Sequence, residues 1–196
     1  MEPQPLLELQ VHLMNGNTHR FVEQGPERAQ KVIEQVQVRV FAQPGLIIAG
    51  STQVVAYPGS ALAGISIITD PPCTELLHLG VPNPDSRVVP EEITEEEYRR
   101  QRQAWACSTP GEPLMLLHET EMSSGHRFWL RVHIPEVAGG FHERTFLHNL
   151  FSLPCLACHR LGGGVRIWNR AHIVRQTFHP RIEVPTSAWL IEPVDE

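Results

Sequence analysis

The sequence predicts an α+β fold: two diverged copies of a β-α-β-β-β unit with pseudo-two-fold symmetry, in small-barrel-like or antiparallel sheets, joined by an acidic linker with one helix. Three observations carry this. Apolar blocks recur in the same order in both halves, and a repeat of that kind sets the architecture before any local reading. Leu9-Gln10-Val11-His12-Leu13 lies over Leu130-Arg131-Val132-His133-Ile134 at a shift of 121, and Phe21-Val22-Glu23 over Phe141-His142-Glu143 at 120. At a shift of 127 the match runs from Val40 to about Leu62. The second observation is that period-two alternation gives way to helical spacing within a unit. The third is that residues 71–112 hold six prolines and no strong strand pattern. The expected division is 1–70 for the first unit, 71–124 for the linker and 125–196 for the second unit.

Taken in order, Leu9, Val11 and Leu13 alternate with Gln10 and His12, as in a strand with one buried face. Asn15-Gly16-Asn17 is turn chemistry. Pro26 suits a first helical turn, and Ala29, Val32, Ile33 and Val36 recur at helical spacing. Short strands are expected at about 38–41, 45–49, 52–57 and 63–68, with Gly50-Ser51 as a hairpin connection. Pro58 and Pro185 end strands because proline lacks the amide hydrogen of the ladder. The corner Pro58-Gly59-Ser60-Ala61, matched by Pro185-Thr186-Ser187-Ala188, is similar in shape to the tight turn before the last strand of SH3-like small barrels. That likeness covers about five residues per unit and implies shape alone.

In the linker, a helix is expected over about 94–106. Thr94 with Glu97 three residues on forms a capping box, and Ile93 with Tyr98 the accompanying hydrophobic staple. Glu95 to Arg99 and Glu96 to Arg100 are favourable pairs four residues apart. Tyr98 and Trp105 give the helix an apolar stripe that should dock on a repeat.

The second unit is longer than the first around Cys155-Leu156-Ala157-Cys158-His159-Arg160-Leu161 and Gly162-Gly163-Gly164. Pro154 should leave this insertion as a loop or short helix, and loops are where scaffolds place chemistry. Cys155-x-x-Cys158-His159 matches the attachment string of c-type haem, but that attachment follows export and the start of the chain has no basic, apolar leader pattern. Zinc is the better chemical reading, because two thiolates and an imidazole supply three of four ligands and His148, or His142, could supply the fourth. Weighed against it, no second cysteine pair exists, and cysteines often simply pack. No cofactor is the first expectation, and zinc the alternative.

Composition allows a normal core, with 41% hydrophobic residues. No run approaches the length of a membrane span. A cytoplasmic protein with reduced thiols and no membrane partner is therefore expected. Net charge is −6, but residues 125–183 carry eight arginines against three glutamates, while 71–124 carry four against ten acids. Seven of the eleven histidines lie in the basic stretch. Arg166, Arg170 and Arg175 with Trp168 are the candidate ligand-binding residues, joining cations to a stacking surface. The sequence pI of about 6.0 argues against a nucleic-acid partner.

No nucleophile elbow or phosphate-binding glycine loop is present, so the balance is against an enzyme. The expected function is a non-catalytic binding or assembly module for a protein or an anionic ligand, with the Arg/His-rich second unit as its recognition face and a homodimer as its candidate assembly. The alternatives are a zinc or iron protein using Cys155, Cys158, His159 and His148, and a small-molecule enzyme. The enzyme would have a pocket between the units lined by several of His133, His142, His148, His159 and His172.

Overall fold

The computed structural model describes residues 6–36, 40–41, 45–69, 89–104, 114–134, 153–180 and 186–188. The fold is mixed α+β, with a nine-stranded sheet, a two-stranded ribbon and, among the described residues, two α-helices.

The chain opens with a hairpin of β1 (Leu7–Leu13) and β2 (Thr18–Glu23). The Asn15 carboxamide accepts the Asn17 amide hydrogen at 3.0 Å, and Gly16 takes a positive φ of 84°, which costs glycine no steric strain. The turn was legible; β2 was not, because Phe21 and Val22 are its only strong apolar residues and most of it is exposed. Helix α1 (Pro26–Gln35) begins at Pro26 and turns Ala29, Val32, Ile33 and Val36 to a core, as its spacing predicts.

Strands β3 (Gly45–Ala49) and β4 (Val54–Pro58) form the separate ribbon, closed by a Gly50 amide bond to the Gln53 carbonyl at 2.8 Å. A 3-10 turn over Gly59–Ala61 leads into β5 (Leu62–Thr69). The strand expected at 38–41 is not formed at its described residues: Val40 and Phe41 lie in a turn and serve the core from there. The observed order of this half is therefore β-β-α-β-β-β.

The linker contributes more than a helix. Strand β6 (Val89–Ile93) runs directly into α2 (Glu95–Ala104). Pro90 and two glutamates hid β6 from a search for apolar alternation. The cap is as read: Thr94 Oγ1 accepts the Glu97 amide hydrogen at 3.1 Å. Tyr98 docks in a small cluster with Ile93, Leu117 and Trp129. Strands β7 (Leu114–Met122) and β8 (Arg127–Ile134) form a hairpin, so the boundary expected at 124/125 falls inside its turn.

The segment expected as a loop or short helix is instead strand β9 (Cys155–His159), paired with β10 (Val165–Asn169). Its run Cys155-Leu156-Ala157-Cys158 is buried throughout, and a strand covered on both faces reads as continuously apolar rather than alternating. Gly162, Gly163 and Gly164, all of positive φ, make the hairpin connection. A 3-10 turn over Arg170–His172 leads to β11 (Ile173–His179).

The large sheet has the order β11-β7-β8-β6-β9-β10-β5-β1-β2, antiparallel except for the single β6–β9 bridge at Glu91 and His159. It cannot be flat. Five strand spacings of about 4.8 Å separate β10 from β11 in the sheet, yet only residues 170–172 join them in the chain. That part of the sheet therefore curls round a core of Leu116, Phe128, Leu130, Val132, Leu156, Cys158 and Trp168. On the other face of β5, β9 and β10, Ile65, Ile67, Cys155, Ala157, Val165 and Ile167 form a second core with β1, α1 and the β3–β4 ribbon.

At the shifts of 120–127 used to align the halves, β1 falls on β8 and β3 on β11, strand on strand, while the turn residues Val40 and Phe41 fall on Ile167 and Trp168 of β10.

Candidate functional site

The site grows from one residue pair in the sheet. Gly64 on β5 stands in register between His12 on β1 and Trp168 on β10. A Cβ at Gly64 would lie 2.5 Å from the Trp168 ring. With no side chain there, the rings of His12 and Trp168 meet across it at 5.3 Å. Phe128 stacks on Trp168 at 4.7 Å with the planes 12° apart, and His126, from the β7–β8 turn, tilts over it at 5.1 Å. Arg166 covers the ring at 5.4 Å, within the range of a cation–π contact. Trp168 is 2% exposed, and its Nε1 has no hydrogen-bond partner among the described residues.

A polar chain runs beside this aromatic stack. Arg166 Nε donates to Ser66 Oγ at 2.8 Å, and Ser66 Oγ lies 2.7 Å from His12 Nε2. His12 Nδ1 is 3.0 Å from Thr18 Oγ1. Burial, with Arg166 nearby, lowers His12 to about 4, so its ring is neutral at pH 7. Serine, histidine and a third hydroxyl in line resemble a nucleophile, base and orienting group. In this arrangement, however, Ser66 is fully buried with its oxygen held by two partners, so no substrate atom can reach it.

Arg166 is also paired with Glu92 of β6 in a contact that is nearly buried on both sides. The second Glu92 oxygen accepts the Leu161 amide hydrogen at 3.0 Å. One carboxylate thus fixes β10 and clips the β9–β10 turn to β6.

Above this floor lies an open groove of about 290 Å³. The end of β6 (Glu92, Ile93) with Thr94 and Glu95 at the start of α2, β8 with its preceding turn (His126, Arg127, Phe128, Trp129), and Arg160, Leu161 and Arg166 of the β9–β10 hairpin line it. The acids are largely committed: Glu92 to Arg166 and Glu95 to Arg99. Arg160 is not matched in this way. Its Nη1 makes a long 3.5 Å contact to the Gly163 carbonyl, and its buried Nε has no partner among the described residues. Arg127 is half exposed, 3.6 and 3.9 Å from Glu121 and Glu119. Burial and Arg166 together lower the His126 pKa.

The residues singled out from sequence are only partly brought together. Arg166 and Trp168 share one face of β10, but Trp168 is buried and Arg166 is spent on Glu92 and Ser66. Arg170 sits in the following 3-10 turn. Arg175 lies on β11, 3.4 Å from Glu121, the carboxylate that Arg127 of the groove also approaches.

Strand geometry parts the thiols, because residues three apart point to opposite faces. Cys155 joins the core under α1 and Cys158 the core inside the curl. Burial raises Cys155 to about 12 and pushes Cys158 higher still. His159 shares the Cys155 face at the strand end, and His148 and His142 lie outside the described residues. No three His, Cys, Asp or Glu among the described residues are grouped to hold a metal ion.

Of the histidines expected in a pocket, His133, His159 and His172 do not line the groove, whereas His126 does. The site residues that sequence reasoning missed are Ser66, Glu92 and His126. No spacing rule links positions 12, 66, 92 and 166; only strand pairing does.

No helix among the described residues is long and apolar enough to cross a membrane. Comparison with family models, curated proteins and solved structures finds no match for this chain.

Proposed function

We propose that this chain is a binding module that takes a small anionic ligand, a carboxylate or a phosphate ester, in the groove between α2, β8 and the β9–β10 turn. The observation that carries the reading is Arg160: a guanidinium in the groove wall whose Nε has no partner among the described residues. The Nε itself is covered, so an anion is taken by the terminal nitrogens, of which Nη1 makes only the long 3.5 Å contact to the Gly163 carbonyl, and a charge-assisted bond to an anion is the stronger partner. Arg127 adds a second cation, His126 a donor, and Phe128 and Trp129 apolar walls. A few polar groups in an apolar cleft are the usual make-up of a ligand site. The buried Glu92–Arg166 pair serves as the scaffold that holds the Arg160 turn.

The test is a titration with inorganic phosphate and with a nucleoside monophosphate, read by tryptophan fluorescence and calorimetry. Saturable binding should weaken at least about tenfold in Arg160→Ala, the loss of one charge-assisted hydrogen bond, and stay unchanged in Arg28→Ala, an exposed α1 residue outside the groove. Absence of saturable binding to either probe, or equal loss in both variants, would remove the reading.

We also propose that the two halves are a tandem duplication in a register different from the one the apolar blocks suggest. Gly16 and Gly125, both of positive φ in equivalent hairpin turns, are 109 positions apart. Strands β4 and β10, and the 3-10 turns after them, are 111 apart. One backbone bond ties each 3-10 turn to its hairpin: Met14 N–H to the Ala61 carbonyl at 3.0 Å, and Ser123 N–H to the His172 carbonyl at 2.8 Å. Superposing residues 7–13, 18–23 and 54–68 on 116–122, 127–132 and 165–179 in an experimental structure tests this; divergent chain paths would end it.

A further inference from the structure

The ribbon of β3 and β4 has a covered face and a bare one. Leu46, Ile48, Val55 and Tyr57 turn into the core under α1. The opposite face presents Ile47, Ala49, Val54 and Ala56, with Ile47 70% and Val54 68% exposed. Strands apolar on both faces are built to be buried on both, and a bare apolar face of this kind marks an interaction surface. In the 109–111 register the equivalent ribbon is β9–β10. Its corresponding outer residues Ala157, Val165 and Ile167 are all buried, because the free edge of β10 pairs with β5 and carries that face into the other unit's core.

The counterpart of β5 is β11. Among the described strands β5 is paired on both sides, by β1 and β10, whereas β11 is paired by β7 alone. The outward Val174 of β11 is 64% exposed. Two edges that correspond to a formed pair, β4 for β10 and β11 for β5, are thus left unpaired within the described residues, each beside exposed apolar side chains.

Resting on the duplication, we infer that β4 of one copy pairs antiparallel with β11 of a second copy, and reciprocally, in a two-fold homodimer. Val55 then stands opposite Thr177 as Arg166 stands opposite Ser66. Each such pairing extends a sheet across the interface and covers Ile47 and Val54. Reciprocal use of the same two edges closes the assembly at two copies.

Light scattering on the eluting full chain, over a concentration series, tests this with Val54→Lys and Val174→Lys. Both positions face solvent in the single chain, and circular dichroism checks that each variant folds. The wild type should have twice the 22.1 kDa chain mass, and each variant that of one chain, with phosphate binding at the groove retained. A wild type that stays monomeric throughout overturns the inference, as does a dimer that both substitutions leave intact. Loss of groove binding without loss of the dimer would instead count against the binding reading, and the superposition above tests the duplication separately.

Discussion

In the β9–β10 ribbon, Leu156, Cys158 and Trp168 fill one core while Ala157, Val165 and Ile167 fill another. The β3–β4 ribbon has the same strand-turn-strand build and the same exit through a 3-10 turn, yet only one of its faces meets a core. The difference is not in their apolar content. It lies in what each free edge pairs with: β10 is joined to β5 and β6 meets β9, whereas β3 and β4 pair only with each other among the described strands. Burial in a sheet is decided by edge pairing as much as by sequence.

The largest effects should come from the fully enclosed ribbon. Ile167→Ala should cost about 2–5 kcal/mol, the usual price of emptying a packed core position. Ile47→Ala in the monomeric Val54→Lys background should change stability by no more than about 0.5 kcal/mol. Urea unfolding of both variants measures the contrast, and equal losses would mean that the β3–β4 outer face is covered within one chain.

Next in size is the polar anchor of the enclosed ribbon. Glu92→Gln leaves the Arg166 charge nearly buried without its counter-ion, and breaking a buried pair from one side costs about 3–5 kcal/mol, less here by whatever water reaches the partly open groove. Removing both charges, as Glu92→Leu with Arg166→Met, should recover much of that loss. If the single and double variants unfold at the same denaturant concentration, the anchor is not electrostatic.

The smallest effect is a pH dependence. His12, beside Trp168, and the buried His118, stacked on Phe178 and bonded to Thr120 and Gln176, are lowered to about 4 and about 3 by burial. Their ordinary value is 6.5, so the unfolded chain takes up these protons first as the solution is acidified. Their contribution is whole above pH 6.5 and is lost as pH falls from there towards 4 and 3. For His118 the slope is at most about 1.4 kcal/mol per pH unit. His118→Gln should flatten the stability profile between about pH 6.5 and pH 5 by up to that amount; an unchanged slope would show that folding does not lower the His118 pKa.

How much could be read in advance depended on how local the cause was. The α2 cap, the Pro26 start of α1, the Asn15-Gly16 turn and the β3 and β5 strands were legible, because each is set by neighbours within four residues or by simple alternation. Strand β6 was not, since Pro90, Glu91 and Glu92 form a strand only because β8 offers a ladder and Arg131 and Arg166 offer counter-charges. The Cys155–His159 segment was misread for a related reason: a doubly buried strand loses the alternation that announces a strand. The register proposed for the duplication rests on glycine turns and 3-10 corners, which have few possible counterparts, whereas apolar blocks match many strands equally well.

By itself, then, the sequence determined the α+β class, most local elements, the docking of Tyr98 and the concentration of arginine and histidine in the later half. The tertiary structure alone decided that Cys155 and Cys158 face opposite cores, that Arg166 is spent on Glu92, and that Arg160 stands in a groove wall with an Nε unpartnered among the described residues. The reason is physical. Turns and caps are fixed by contacts along the chain, but a site assembled from positions 12, 66, 92, 126, 160 and 166 exists only once strands far apart in sequence share hydrogen bonds.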